Sequence, residues 1–228
     1  MHPTRRLALG ALAGASLSAP ARAQPAASWF DLRDDRGGQV PNLRLPNEIV
    51  DEIPTLPGVL FVGAEAGPAQ LYEFHDFNCP WCKAAARDLD ALLQATPELR
   101  VGLVGNAILS PGSVQAAKVE IAVLKTMGPD KAYEFRQRLY AEPGVKDGPR
   151  ALAVAEALGA PRATIEARAD SQAAAGALKR QVQLTASLGL NATPSFVLGN
   201  TGILGWPGPR ALARMLTSVE SCDKPRCS

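Results

Sequence analysis

From Gly58 onward, short apolar runs bounded by glycine or proline alternate with longer stretches whose apolar residues return at helical spacing. Gly58 to Gly63 predicts a first strand, Ala64 to Pro68 a turn, and Gln70 to Phe74 a second strand apolar enough to be buried on both faces. Lys83 to Gln94 then brings Ala85, Ala86, Leu89, Leu92 and Leu93 round at helical spacing. Pro97 stops that helix, and Arg100 to Val104 predicts a third strand, so the three pieces make a right-handed βαβ unit. Helical patterns follow at Ser113 to Met127, Ala132 to Tyr140, Pro149 to Leu158, and Ala163 to Leu188 with a break expected near Gly176. Strand character returns at Ser195 to Leu198. Gly199-Asn200-Thr201-Gly202 turns it into Ile203 to Trp206 as a hairpin, and Pro209 to Val219 predicts a last helix. Two halves of one sheet are thus separated by roughly ninety residues, too many for a loop, so the helices between them must pack as a subdomain of their own.

The ends read differently. Residues 1–23 combine Arg5 and Arg6, an apolar stretch from Leu7 to Leu17, and Ala21-Arg22-Ala23 before Gln24, the pattern of a cleaved secretory signal. The apolar stretch is about 11 residues where roughly 20 are needed to span a bilayer, which argues against a membrane anchor. Thr4-Arg5-Arg6-Leu7 partly matches a twin-arginine signal, and both export routes stay open. Residues 24–57, rich in proline, glycine and charge, predict an extended arm with at most one short helix; residues 220–228 form a polar tail holding Cys222 and Cys227.

Composition narrows the chemistry. At 228 residues and 46% hydrophobic the chain can bury a sizeable core. Loss of residues 1–23 removes Arg5, Arg6 and Arg22 and no acid, so the formal charge of +2 becomes −1, with no basic patch suited to nucleic acid. His75 is the one histidine beyond those residues, which excludes Ser-His-Asp catalysis and most zinc hydrolases.

What remains is Cys79-Pro80-Trp81-Cys82, a C-x-x-C where an apolar strand pattern gives way to a helical one. Cys79 is expected at the helix N-terminus, where unpaired N–H groups and the helix dipole favour a thiolate, the species that attacks disulfides. Pro80 suits the first turn, where its missing N–H costs nothing. A soft-metal site, Cu(I) held by Cys79 and Cys82 with His75, is the competing reading of the same residues.

Taken in order, Glu73-Phe74-His75-Asp76-Phe77-Asn78-Cys79-Pro80-Trp81-Cys82-Lys83, the helical stretch, Gly189-Leu190-Asn191-Ala192-Thr193-Pro194-Ser195-Phe196-Val197, and the closing hairpin and helix resemble the DsbA-like thiol:disulfide oxidoreductases of the thioredoxin superfamily, over about Gly58 to Leu216. The resemblance implies an α/β thioredoxin-like fold from residues 58–111 and 189–219, with an all-helical insertion at residues 112–188. It implies Cys79 as nucleophile, Cys82 as resolving thiol, and Glu73 as a buried acid that moves protons to or from Cys82; an acid that only pairs with backbone or a lysine is the plainer alternative. It implies a cis peptide at Thr193-Pro194 against the cysteines, with Trp81, Thr193, Pro194 and His75 meeting substrate. For His75 a packing role is an equal alternative, because strand alternation turns it away from Phe74. Cys222 and Cys227 are expected to form a small structural disulfide, or else to relay electrons.

The expected activity is exchange of disulfides with cysteine-containing exported proteins, with a membrane partner recycling the site, without metal or organic cofactor. Oxidase, isomerase and reductase directions stay open, as do the oligomeric state and a chaperone role without turnover. Two features depart from the resemblance. Trp81 stands where DsbA carries a histidine, so the Cys79 thiolate lacks an imidazolium and its pKa is expected nearer that of thioredoxin. Val104 to Leu109 lacks the charged residue and proline of many relatives, which alters the surface beside the cysteines.

Overall fold

The computed structural model describes residues 28–67 and 70–227. The secretory signal expected at residues 1–23 lies outside them. Six strands form one mixed sheet: β1 (Asn42–Arg44), β2 (Leu60–Gly63), β3 (Leu71–His75), β4 (Arg100–Gly105), β5 (Ser195–Leu198) and β6 (Thr201–Leu204), in the order β1-β6-β5-β3-β4-β2. β3 is central. It runs parallel to β4 and antiparallel to β5, and all five of its residues are buried. Tyr72 lies opposite Gly102 on β4, where a Cβ would sit 2.5 Å from the tyrosine ring, so glycine alone lets the two strands close there.

Strand alternation sorts β3 between two cores. Tyr72 and Phe74 join Val59, Val104, Leu184, Leu188 and Val197 on one face, whereas Leu71 packs on the other, with the helix α2 (Pro80–Ala95) and α8 (Pro209–Cys222). Glu73 and His75 therefore point to the α2 face. Between β4 and β5 stand α3 (Pro111–Met127), α4 (Pro129–Ala141), α5 (Gly148–Ala157), α6 (Arg162–Ala169) and α7 (Gln172–Ser187), the expected helical insertion. Its caps follow sequence chemistry: Ser110, Asp147 and Ser171 each accept a hydrogen bond from a backbone N–H of the first turn they precede.

Two expectations are corrected. The helical break falls at Asp170 and Ser171, where the serine caps α7, and not at Gly176, which faces open space inside α7 and costs the helix only backbone entropy. The arm is more than an extended lead-in. After a short α1 (Asn47–Val50) its chain makes a 3-10 turn at Ile53–Thr55, and before it β1 pairs with β6 to complete the sheet edge. Asp35 of the arm accepts from the N–H groups of Arg210 and Ala211, capping α8 from across the chain.

Candidate active site

The site begins where β3 ends. Asp76 leaves the sheet buried and fully used: its carboxylate accepts from Asn78 N, Ile108 N, Leu109 N and Ser113 Oγ at 2.7–3.0 Å. Its carbonyl accepts from Cys79 N at 3.1 Å, which closes the turn that delivers Cys79 to the N-cap of α2. Pro80 opens the helix at the position that needs no N–H. Asn78 fastens the other side of the same turn, donating to Ser113 Oγ and Lys146 O and accepting from Lys146 N at 2.7 Å.

Cys79 and Cys82 are both free thiols, one helical turn apart. The Cys79 thiol donates to the Thr193 carbonyl at 3.0 Å, and the Thr193-Pro194 peptide is cis. As a thiolate, Cys79 is held by a hydrogen bond from the Cys82 thiol, then by the Thr193 side chain and the backbone N–H groups of Cys82 and Trp81; together these outweigh the burial of the residue and bring its pKa down to about 6. Cys82 is fully buried, with its sulfur accepting from Asp76 N. Burial, the hydrogen bond to Cys79 and the charge of Glu73 push its thiol far above the usual range. The two sulfurs are thus matched to different states, an outer thiolate and an inner thiol. Trp81, 55% exposed, lines an open groove of about 510 Å³ with Arg87, the turn at Gly205 to Pro209, and Asp34 and Asp35 of the arm.

Behind Cys82 lies a buried polar group. Both carboxylate oxygens of Glu73 accept from Arg136 Nη2 at 2.9 Å, and Arg136 is itself wholly buried over the Tyr140 ring. Burial works against the guanidinium charge, but Glu73 above all, with Tyr140 and Glu120, more than restores it. His75 Nδ1 lies 3.1 Å from Tyr140 Oη, and its Nε2 faces Glu120 at 3.5 Å. At 1% exposure His75 does not reach the surface where a substrate would lie, which corrects the expectation that it meets substrate and leaves the packing alternative. Glu73 is buried and paired with an arginine rather than a lysine. Arg136, Tyr140 and Glu120 escaped the sequence reading, since each looks like an ordinary polar position of a helix 45 or more residues from β3. Asp76 and Asn78 had a visible signal, their place inside the motif, that was not assigned a role. Cys222 and Cys227 are joined by a disulfide, well apart in sequence from the two free thiols.

Residues 70–217 match the family described as DSBA-like thioredoxin domain. No curated protein matches the chain. Among solved structures, a thioredoxin-like oxidoreductase from Silicibacter pomeroyi DSS-3 is similar at 24% identity and a TM-score of 0.69, covering 75% of this chain and 98% of its own. A periplasmic thioredoxin-like protein from Salmonella enterica serovar Typhimurium is similar at 20% identity and 0.68, covering 77% and 98%. The thiol-disulfide exchange protein alpha-DsbA2 from Wolbachia pipientis is similar at 18% identity and 0.67, covering 76% and 95%. At these identities the likeness is one of fold.

Proposed function

The chain belongs to the DSBA-like thioredoxin domain family, and from that premise we propose that it is an exported thiol:disulfide oxidoreductase that oxidises or reshuffles cysteine-containing proteins. The observation that carries the reading is the asymmetry of the two sulfurs: Cys79 against the Thr193 carbonyl with a pKa of about 6, Cys82 buried and kept protonated. Export is supported by the signal pattern of residues 1–23, and among the described residues no helix is long and apolar enough to cross a membrane.

In the oxidising direction the resting site carries a Cys79–Cys82 disulfide. A client thiolate attacks Cys79 Sγ; the bond between the two cysteines breaks, and Cys82 leaves and takes up a proton, because its surroundings tolerate the thiol and not the thiolate. A second client thiolate then attacks the client sulfur of the mixed disulfide. Cys79 departs as a thiolate, which its hydrogen bonds stabilise, and the client keeps a disulfide while two electrons stay on the protein. A membrane partner of higher potential would remove them. Glu73 disfavours charge on Cys82 throughout, while Trp81, Thr193 and Pro194 border the place where an extended client segment meets Cys79.

The test is the redox equilibrium with glutathione of a variant in which Cys222 and Cys227 are serine, so that Cys79 and Cys82 alone report. A potential of about −120 to −180 mV is expected for an oxidising or reshuffling protein. A value near about −270 mV would make it a reductant and reverse the proposed electron flow.

A further inference from the structure

A trans peptide group points its N–H and its C=O to opposite sides of a strand. At the end of β3 the His75–Asp76 peptide turns its carbonyl toward β4, where Asn106 N donates to it at 2.7 Å, so the Asp76 N–H faces the β5 side. β5 leaves that N–H without a strand partner. The ladder between the two strands ends at Phe74 opposite Ser195, and the residue before Ser195 is Pro194 of the cis peptide. The N–H goes instead to Cys82 Sγ at 3.5 Å, the one hydrogen bond that a backbone group donates to this sulfur among the described residues. Nor is the group free to turn. Asp76 accepts six hydrogen bonds, four on its carboxylate, from Asn78 N, Ile108 N, Leu109 N and Ser113 Oγ, and two on its carbonyl, from Cys79 N and Tyr140 Oη. A buried acid clamped from the turn, from the loop after β4 and from the first turn of α3 fixes one N–H on one sulfur.

That sulfur has a demanding task. When a client thiolate attacks Cys79 Sγ of the disulfide form, a bond forms between the client sulfur and Cys79, the Cys79–Cys82 bond breaks, and its electron pair moves onto Cys82 Sγ. Cys82 then takes up the proton that the client thiol released to solvent on ionising. Between bond breaking and proton uptake the charge sits on a buried sulfur. Burial, Cys79 and Glu73 all oppose it, and Arg136, whose charge is felt at Cys82, is committed to Glu73. A fixed donor aimed at the atom where charge develops lowers such a barrier, and a better-stabilised thiolate is a better leaving group. Resting on the oxidoreductase reading above, we infer that the Asp76 N–H is a catalytic group that stabilises the charge developing on Cys82 Sγ as the disulfide opens, and that the Asp76 carboxylate is the positioning group that holds it there. By microscopic reversibility the same donor assists Cys82 when it attacks the mixed disulfide.

The experiment uses the full chain carrying C222S and C227S, oxidised at Cys79–Cys82, with glutathione as the attacking thiol. In one form an ester oxygen, introduced by ligation at Cys79, replaces the Asp76 N–H; this removes the donor and keeps the carboxylate with its four hydrogen bonds. Opening of the disulfide is expected to be about tenfold slower, the loss of one hydrogen bond to a charged sulfur. In D76N one oxygen becomes an NH2 that meets donors, so the anchoring weakens and the same step should slow about threefold. The second step is the control. In C82A the mixed disulfide of Cys79 with glutathione is opened by a second glutathione, Cys79 being the leaving group, and the ester should leave that rate unchanged. A purely structural role for Asp76 would slow both steps alike, and an ester form that opens at the parent rate would show that the N–H does not act on Cys82. Each of these results overturns the inference and leaves the oxidoreductase reading standing, since glutathione still reacts. A parent chain inert to glutathione would remove that reading, and the inference with it.

Discussion

A thiol is only as reactive as its neighbours make it, and at Cys79 the neighbours are unusual in their source. No imidazolium or other cation holds the thiolate; the thiol of Cys82 does so first, then Thr193 and two backbone N–H groups. The resulting value of about 6 lies between those of DsbA, about 3.5, and thioredoxin, about 7, and nearer the latter. Alkylation of the reduced protein by iodoacetamide should therefore be half-maximal at about pH 6 and fall tenfold per unit below it, because each unit removes nine-tenths of the remaining thiolate. Cys82, with its sulfur fully buried, should stay unmodified in the folded protein across the same range. In Cys82→Ala the midpoint should move upward, toward an ordinary thiol, because the largest stabilising hydrogen bond is lost. An unmoved midpoint would assign the depression to the helix terminus and Thr193 instead.

At the scale of elements, the insertion is joined to the sheet by charge as well as by packing. Arg136 and Tyr140 stand one turn apart on α4 and meet Glu73 and His75, two residues apart on the same face of β3. Arg136→Leu should cost about 3–5 kcal/mol, since it leaves the Glu73 carboxylate buried without its partner; adding Glu73→Leu should recover most of that in urea unfolding, because the pair is worth less than either unpaired charge costs. This joint also marks what the sequence could not convey. The strands and helices were legible because each announces itself locally, by alternation, by helical spacing or by a capping serine, and Cys79, Thr193 and Pro194 were legible because their neighbours form a pattern. Arg136 has no such local signature: an arginine among Glu134, Arg138 and Gln137 reads as a solvated face, and only the approach of α4 to β3 buries it. His75 failed in the opposite sense, since a histidine four residues from a reactive thiol looks available until Tyr140 and Glu120 cover it. The edge strand β1 went unread for the same reason, its three residues gaining their character only from β6.

At the scale of the whole molecule, a redox potential and a folding stability are two sides of one cycle: whatever stabilises the folded dithiol relative to the folded disulfide makes the protein a stronger oxidant. The Cys79 thiolate is that stabilising group. Its pKa is depressed in the folded state from the ordinary thiol value of 9.0 to about 6, so its contribution is full above pH 9 and disappears as pH falls through about 6. Cys82 acts in the other direction, but only where an unfolded thiol would ionise, above about pH 8.5, so it does not oppose Cys79 near neutrality. With Cys222 and Cys227 replaced by serine, the Tm of the dithiol form should rise relative to that of the disulfide form between pH 6 and pH 8. Cys79→Ala cannot form that disulfide, and the Tm of its single-thiol form, compared with the same disulfide form of the parent, should show no such rise between pH 6 and pH 8. The potential should track the same proton count, falling by about 30 mV per pH unit where one proton accompanies two electrons and by about 60 mV per unit below pH 6, where Cys79 too must be protonated. A Tm difference independent of pH across this window would mean that Cys79 is no more acidic folded than unfolded, and the oxidising direction would lose its physical basis.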